Sequence, residues 1–277
     1  MVTIRYVWHA SFLVTLPDMA FLFDFWKNPE GTSRFPELPR GVATDIPLYV
    51  FVSHAHKDHF NPCVFDLAAL NESVRLIISK DVARMSRHRL NPDSAYRGLK
   101  VPPQRVSVVK AGDNISFPGL DVRVYGSTDA GNSYMLETGG MRFFHAGDLN
   151  AWILQGMGEA EQREARCKFK TVVEEIVEGE RRSLLMNGQE SPIEAMFFPV
   201  DRRIGPAFSE GAEEMVARFA PRRFLPMHFY PLKEVNVDYQ LEGAAIFAMR
   251  LPEDSQTEVA ILSRPGDILS FPARKGM

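Results

Sequence analysis

The N-terminal residues fall into short apolar runs separated by turn residues. Thr3 to Trp8, Ser11 to Leu16 and Ala20 to Phe25 are short runs rich in β-branched and aromatic side chains, broken at Pro17-Asp18 and Asn28-Pro29, and they predict a meander of strands. A Pro-rich loop from Asn28 to Pro47 leads into Leu48 to Val52, a wholly apolar run of strand length. Directly behind it stands Ser53-His54-Ala55-His56-Lys57-Asp58-His59-Phe60-Asn61-Pro62, in which Asn61 reads as an N-cap and Pro62 as the first residue of a helix running through Val64 to Leu70. The histidines thus fall on a strand-to-helix loop.

Val74 to Ser79 predicts a further strand, followed by a helix from Asp81 to Leu90. Val106 to Val109, Asn114 to Phe117, Asp121 to Tyr125, Ser133 to Glu137 and Met141 to His145 form a second meander, its last pair joined by Gly139-Gly140. Between Glu159 and Arg182, the residues Phe169, Val172, Val173, Ile176 and Val177 recur at helical spacing, which predicts an amphipathic helix laid over a sheet. A strand at Ala195 to Val200, a helix at Glu210 to Phe219, a strand at Phe224 to Met227, a helix near Leu241 to Met249 and strands around Glu258 to Leu262 and Ile268 to Phe271 complete the pattern. Two meanders, each followed by strand and helix alternation, predict one α/β domain over 1–277 with two similar halves, roughly 1–118 and 119–277. Two mixed sheets would pack face to face, with helices outside.

Composition narrows the function. With 277 residues, 45% of them hydrophobic, the chain can bury one large core without a second domain. The net charge is -3 and the Arg and Lys residues are scattered, so no basic face points to nucleic acid; a small-molecule substrate is expected. No run approaches the ~18 apolar residues of a membrane helix. Only Cys63 and Cys167 occur, too few for a disulfide framework or a Cys-x-x-Cys metal site, which suits a cytoplasmic protein. Oligomeric state is left open.

Seven histidines occur, and three of them lie within His54 to His59. Side chains two apart on an extended segment point the same way, so His54 and His56 can close on one metal while Asp58 and His59, at the turn, reach a second. His54-Ala55-His56-Lys57-Asp58-His59 resembles the His-x-His-x-Asp-His motif of the metallo-β-lactamase superfamily. Phe143-Phe144-His145-Ala146-Gly147-Asp148 resembles the strand-Gly-Asp motif whose Asp bridges two metals, and Leu225-Pro226-Met227-His228 the strand-borne final His ligand. The resemblance implies the four-layer αβ/βα sandwich of that superfamily and two divalent ions, zinc first, with manganese or iron as alternatives. Trp8-His9-Ala10-Ser11-Phe12-Leu13-Val14 and His145 are similar to the subgroup of L-ascorbate-6-phosphate lactonase, and Leu22-Phe23-Asp24 resembles the segment whose Asp buttresses the first ligand loop.

The superfamily usually draws one more His from a loop that here reads Gly126-Ser127-Thr128-Asp129-Ala130-Gly131-Asn132. Asp129 is the best substitute, with Thr128, a water or an ordinary turn Asp as the other readings. The expected ligands are therefore His54, His56, Asp58, His59, Asp129, Asp148 and His228. His9 lines the pocket or is a core histidine. His145 is expected behind a ligand carboxylate, and Asn150 and Trp152 either at the pocket mouth or in loop packing. Asp201-Arg202-Arg203 reads as a solvated charge run or as a source of an anion contact. These residues imply a hydrolase acting through metal-bound hydroxide on a small ester, lactone or phosphorylated metabolite, Asp58 holding the nucleophile in line. A phosphodiesterase or nuclease of the same fold, and a non-catalytic metal-binding protein, are the alternatives.

Overall fold

A computed structural model describes residues 1–25, 46–187, 191–229 and 237–274; most of the Pro-rich loop, including Asn28-Pro29, lies outside them. The chain divides into two compact units, the first comprising residues 1–110 with the returning segment from Leu262, the second residues 111–261.

In the first unit, β1 (Val2–Trp8), β2 (Ser11–Thr15), β3 (Ala20–Phe23), β4 (Leu48–Val52), β5 (Val74–Ser79) and β6 (Val106–Val109) lie side by side in chain order. The returning strand Ile268–Phe271 adds to the free edge of β1, giving seven strands. β1 to β3 pair antiparallel and β3 to β6 parallel. β4 is buried along its whole length, which explains its unbroken apolar sequence. Its Leu48, Val50 and Val52 pack with Val64, Phe65 and Ala68 of helix α1 (Cys63–Leu70), whereas Phe51 stacks on Phe23 at a centroid distance of 5.2 Å. α1 begins one residue later than its sequence predicts, with Pro62 at the cap position, and Asn61 Oδ1 accepts from the Cys63 amide at 2.9 Å in the turn that leads into it.

The expected single helix from Asp81 to Leu90 is instead two short ones, α2 (Lys80–Met85) and α3 (Arg87–Leu90). Ser86, at φ -103° and ψ 14°, breaks them, and the Arg89 guanidinium then reaches the buried Asp66 of α1 at 2.5 Å. That tertiary ion pair lies beyond what local periodicity can register.

The second unit holds β7 (Asn114–Phe117), β8 (Leu120–Gly126), β9 (Asn132–Thr138), β10 (Met141–His145), β11 (Ile193–Pro199), β12 (Arg223–Met227) and β13 (Glu258–Val259), again adjacent in chain order. β7 to β10 are antiparallel and β10 to β13 parallel. Gly139 and Gly140, at φ 52° and 68°, supply the two positive φ values that the tight β9–β10 hairpin needs. Helices α4 (Glu159–Asn187), α5 (Glu210–Phe219) and α6 (Val237–Arg250) complete the unit. Phe169 of α4 meets Phe198 at 6.3 Å, and Phe247 of α6 meets Phe224 at 4.7 Å, so aromatic side chains join these helices to the sheet. Two seven-stranded mixed sheets with helices are the architecture expected of a metallo-β-lactamase fold. Among the described residues, no helix is long and apolar enough to cross a membrane.

Candidate metal centre

In the first unit the loop from Ser53 to His59 is organised by one carboxylate. Asp24, just past β3, is fully buried and accepts three hydrogen bonds: from the Ser53 amide at 2.7 Å, the Ser53 hydroxyl at 2.6 Å and His59 Nδ1 at 2.8 Å. Ser53 Oγ also lies 2.9 Å from His54 Nδ1. Both imidazoles are thereby held through Nδ1, which leaves Nε2 as the nitrogen that a metal would take, the arrangement in which a partner behind a histidine fixes its tautomer and raises its basicity. Asp81 of α2 steadies the loop by accepting from the Ala55 amide at 2.8 Å, and the His59 and Phe60 amides close the turn on the His56 carbonyl.

Within this loop the rings of His54 and His59 lie 4.3 Å apart, those of His54 and His56 4.4 Å apart, and His54 and His59 offer ring nitrogens within 4.8 Å of each other. His54 and His59 are buried, His56 is exposed and the Asp58 side chain is 22% accessible. His9, buried in the tight turn between β1 and β2, places Nε2 3.6 Å from Asp58 Oδ2.

The second unit assembles its donors from three strand ends. Asp148 follows β10, and its carboxylate lies within 4.8 Å of the carboxylate of Asp129, in the β8–β9 loop. Thr128 clips the two loops together, its hydroxyl donating to the Asn150 carbonyl at 2.5 Å and accepting from the Asn150 amide at 3.0 Å. His228, directly after β12, sits between two carboxylates, with Nε2 2.9 Å from Asp148 Oδ1 and Nδ1 3.1 Å from Asp201 Oδ2. Burial alone would lower the imidazole's pKa; the flanking Asp148 and Asp201 raise it. Burial likewise works against the Asp201 anion, yet hydrogen bonds from His228 and Arg203 hold its carboxyl well below the usual carboxylate range.

Asp201 is thus neither part of a solvated run nor merely next to one. It is 1% exposed and binds Arg203 through the side chain and the amide, with Gln240 of α6 donating to Oδ1 at 3.1 Å. Arg202 turns away to stack on Tyr239, 3.9 Å from the ring centre. Trp152 donates from Nε1 to the Asp148 carbonyl at 2.7 Å, its ring 5.8 Å from His228. Asn150 is buried, its Oδ1 accepting from the Ala151 amide and covered by Gly211 of α5, where a Cβ would stand 2.2 Å away. His145 accepts from the Gly147 amide through Nδ1 at 3.2 Å, within the turn that presents Asp148.

Sequence reading missed Ser53, Asp81 and Gln240, whose partners are 26 or more residues away except for the neighbouring His54. Backbone strain marks the same places: of five non-glycine residues with positive φ among those described, His9, Asp24, Trp152 and His228 all belong to these networks. The donors are imidazole nitrogens and carboxylate oxygens, a set suited to divalent first-row metals, and the residues fit such ions.

The beta-lactamase superfamily domain family matches residues 22–229, and the chain belongs to that family. This is the class of metal-dependent hydrolases built on the metallo-β-lactamase fold. Among solved structures, the chain resembles Igni18, a metallo hydrolase from Ignicoccus hospitalis, at a TM-score of 0.60 and 14% identity, with 99% of each chain covered. It also resembles an isothiocyanate hydrolase from Delia radicum gut bacteria, at a TM-score of 0.50 and 13% identity over 98% of this chain and all of that one. The diiron β-hydroxylase CmlA of Streptomyces venezuelae aligns at a TM-score of 0.56 and 14% identity, over 98% of this chain but 54% of its own. No curated protein sequence matches the chain.

Proposed function

We propose that the chain hydrolyses a small ester, lactone or phosphorylated metabolite, with His54, His56, Asp58, His59, Asp129, Asp148 and His228 as ligands of two divalent ions, zinc first and manganese or iron next. The observation that carries this reading is the Asp24 network, which holds His59 directly and His54 through Ser53 with Nε2 directed to ligation. Bound divalent ions supply Lewis acidity and can lower the pKa of water from 15.7 to about 7. The chain's own residues supply orientation. Asp58 accepts a hydrogen bond from the attacking water and holds it in line with the substrate's carbonyl or phosphoryl centre, with His9 positioned behind its carboxylate. Asp201 fixes the ring plane of His228 as Asp24 fixes that of His59. The likeness of Trp8-His9-Ala10-Ser11 and His145 to the ascorbate-6-phosphate lactonase subgroup favours lactones and phosphorylated sugar acids within this substrate class.

The test is a panel of p-nitrophenyl esters, lactones, phosphomonoesters and bis(p-nitrophenyl) phosphate, assayed with protein expressed in Zn-, Mn- and Fe-supplemented medium and analysed for metal. We expect up to two metals per chain and hydrolysis of an ester or lactone that Asp58→Ala lowers by at least about 10²-fold while melting stays unchanged. Trace metal only, or wild-type activity in Asp58→Ala, would overturn the reading. Turnover confined to the phosphodiester would transfer it to a phosphodiesterase.

A further inference from the structure

Away from the metal donors, the second unit carries an open groove of about 1340 Å³ between helix α4 and strands β7 and β8. Val122 and Val124 lie at its apolar base, and Met186, 86% exposed, stands at one end. Among the described residues, β7 pairs with β8 and stands at the end of its sheet, so the groove borders a sheet edge. Along its α4 wall run Arg163, Arg166, Lys170, Glu174, Glu175 and Glu178, spaced by three or four residues except at Glu174-Glu175 and therefore sharing one helix face. The three cations fill the N-terminal part of this stretch and the three anions the part after them; one turn further, Arg182 also lines the groove and pairs with Glu178 at 2.9 Å. Among the described residues, Lys170 and Glu175 have no ion-pair partner within the chain.

A face polarised in this way is complementary to itself when reversed. An antiparallel copy of α4 centred between Lys170 and Thr171 brings Arg163 opposite Glu178 and Arg166 opposite Glu175; a parallel copy would set like charges together. Cys167 and Thr171, small and exposed, flank the centre and allow close approach. An apolar base with a charged rim is also the anatomy of a protein interface. We propose that this groove docks a second copy of the same chain, α4 against α4, in a two-fold dimer.

Sedimentation velocity at rising concentration and salt tests the proposal, and none of its readouts depends on hydrolysis. The wild type should sediment at twice the chain mass and dissociate more readily as salt screens the rim. Arg163→Glu with Arg166→Glu should be monomeric, as should Glu175→Arg with Glu178→Arg, whereas an equimolar mixture of the two should regain the dimer. Circular dichroism checks that each stays folded. If losing the Arg166–Glu210 pair disturbs the fold, Arg163→Glu with Lys170→Glu replaces the first variant. A wild type still monomeric at about 100 µM, where even a micromolar dimer would be largely formed, would overturn the proposal. So would a dimer indifferent to both reversals, or a mixture that fails to reassociate.

Discussion

The two units hold their histidines by the same device made from different chemistry. In the first, Asp24 takes its hydrogen bonds from a backbone amide, a hydroxyl and an imidazole, and the donor residues it organises are near neighbours in the chain. In the second, Asp201 is neutralised by the Arg203 guanidinium, supported by Gln240, and the donors come from three separate strand ends. The same unit also buries Glu180 of α4 in a larger ionic cluster: Arg123 grips it through Nε and Nη2 at 2.7 and 2.8 Å, Arg142 through Nη1 at 2.9 Å and Tyr125 through its hydroxyl at 2.7 Å. A contiguous loop can be fixed by neutral dipoles over short distances. A site gathered from distant strands relies on charges, whose reach is longer and whose desolvation must be offset by complete pairing.

Breaking the ionic cluster should have the largest effect. Glu180→Ala leaves two buried guanidinium groups without their shared counter-ion, and we expect about 3–5 kcal/mol of destabilisation by denaturant unfolding. The arginines hold the Glu180 carboxyl below its ordinary value against the opposing effect of burial. Its contribution is therefore complete above the unfolded carboxylate pKa and is lost as pH falls through the lower folded value. The stability gap between wild type and Glu180→Gln should accordingly narrow on acidification; a gap independent of pH would remove Glu180 as its source.

Asp24→Ala should follow, at about 2–4 kcal/mol, because three buried donors lose their acceptor together. Metal retention in dialysed protein should fall as well, and unchanged retention would separate the network from the ligands it contacts. Asp201→Asn keeps an acceptor for the Arg203 amide and Gln240, so its expected effect is smaller: a loss of metal affinity of about 10–100-fold with little change in melting. The smallest change is expected from Asp129→Asn, which keeps the side-chain shape and removes one charge. Metal affinity should drop by up to about tenfold, and Asp129→His should shift preference from manganese towards zinc. Metal content indifferent to both substitutions would leave Asp129 as a turn residue.

The amino-acid sequence by itself determined nearly every element described, because short apolar runs, helical spacing and the Gly139-Gly140 turn are local signals. It also made the donor types legible: His54 to His59 are contiguous, and Asp148 and His228 close strands that end in recognisable motifs. Only the tertiary structure decided what stands behind them. The pairing of Asp201 with His228 spans 27 residues and that of Glu180 with Arg123 spans 57, separations at which no periodicity persists. The pairing of Arg89 with Asp66, past the break at Ser86, likewise spans 23 residues. A buried charge is stable only beside its partner, and the sequence names the charges while the packing of strands and helices selects the partners.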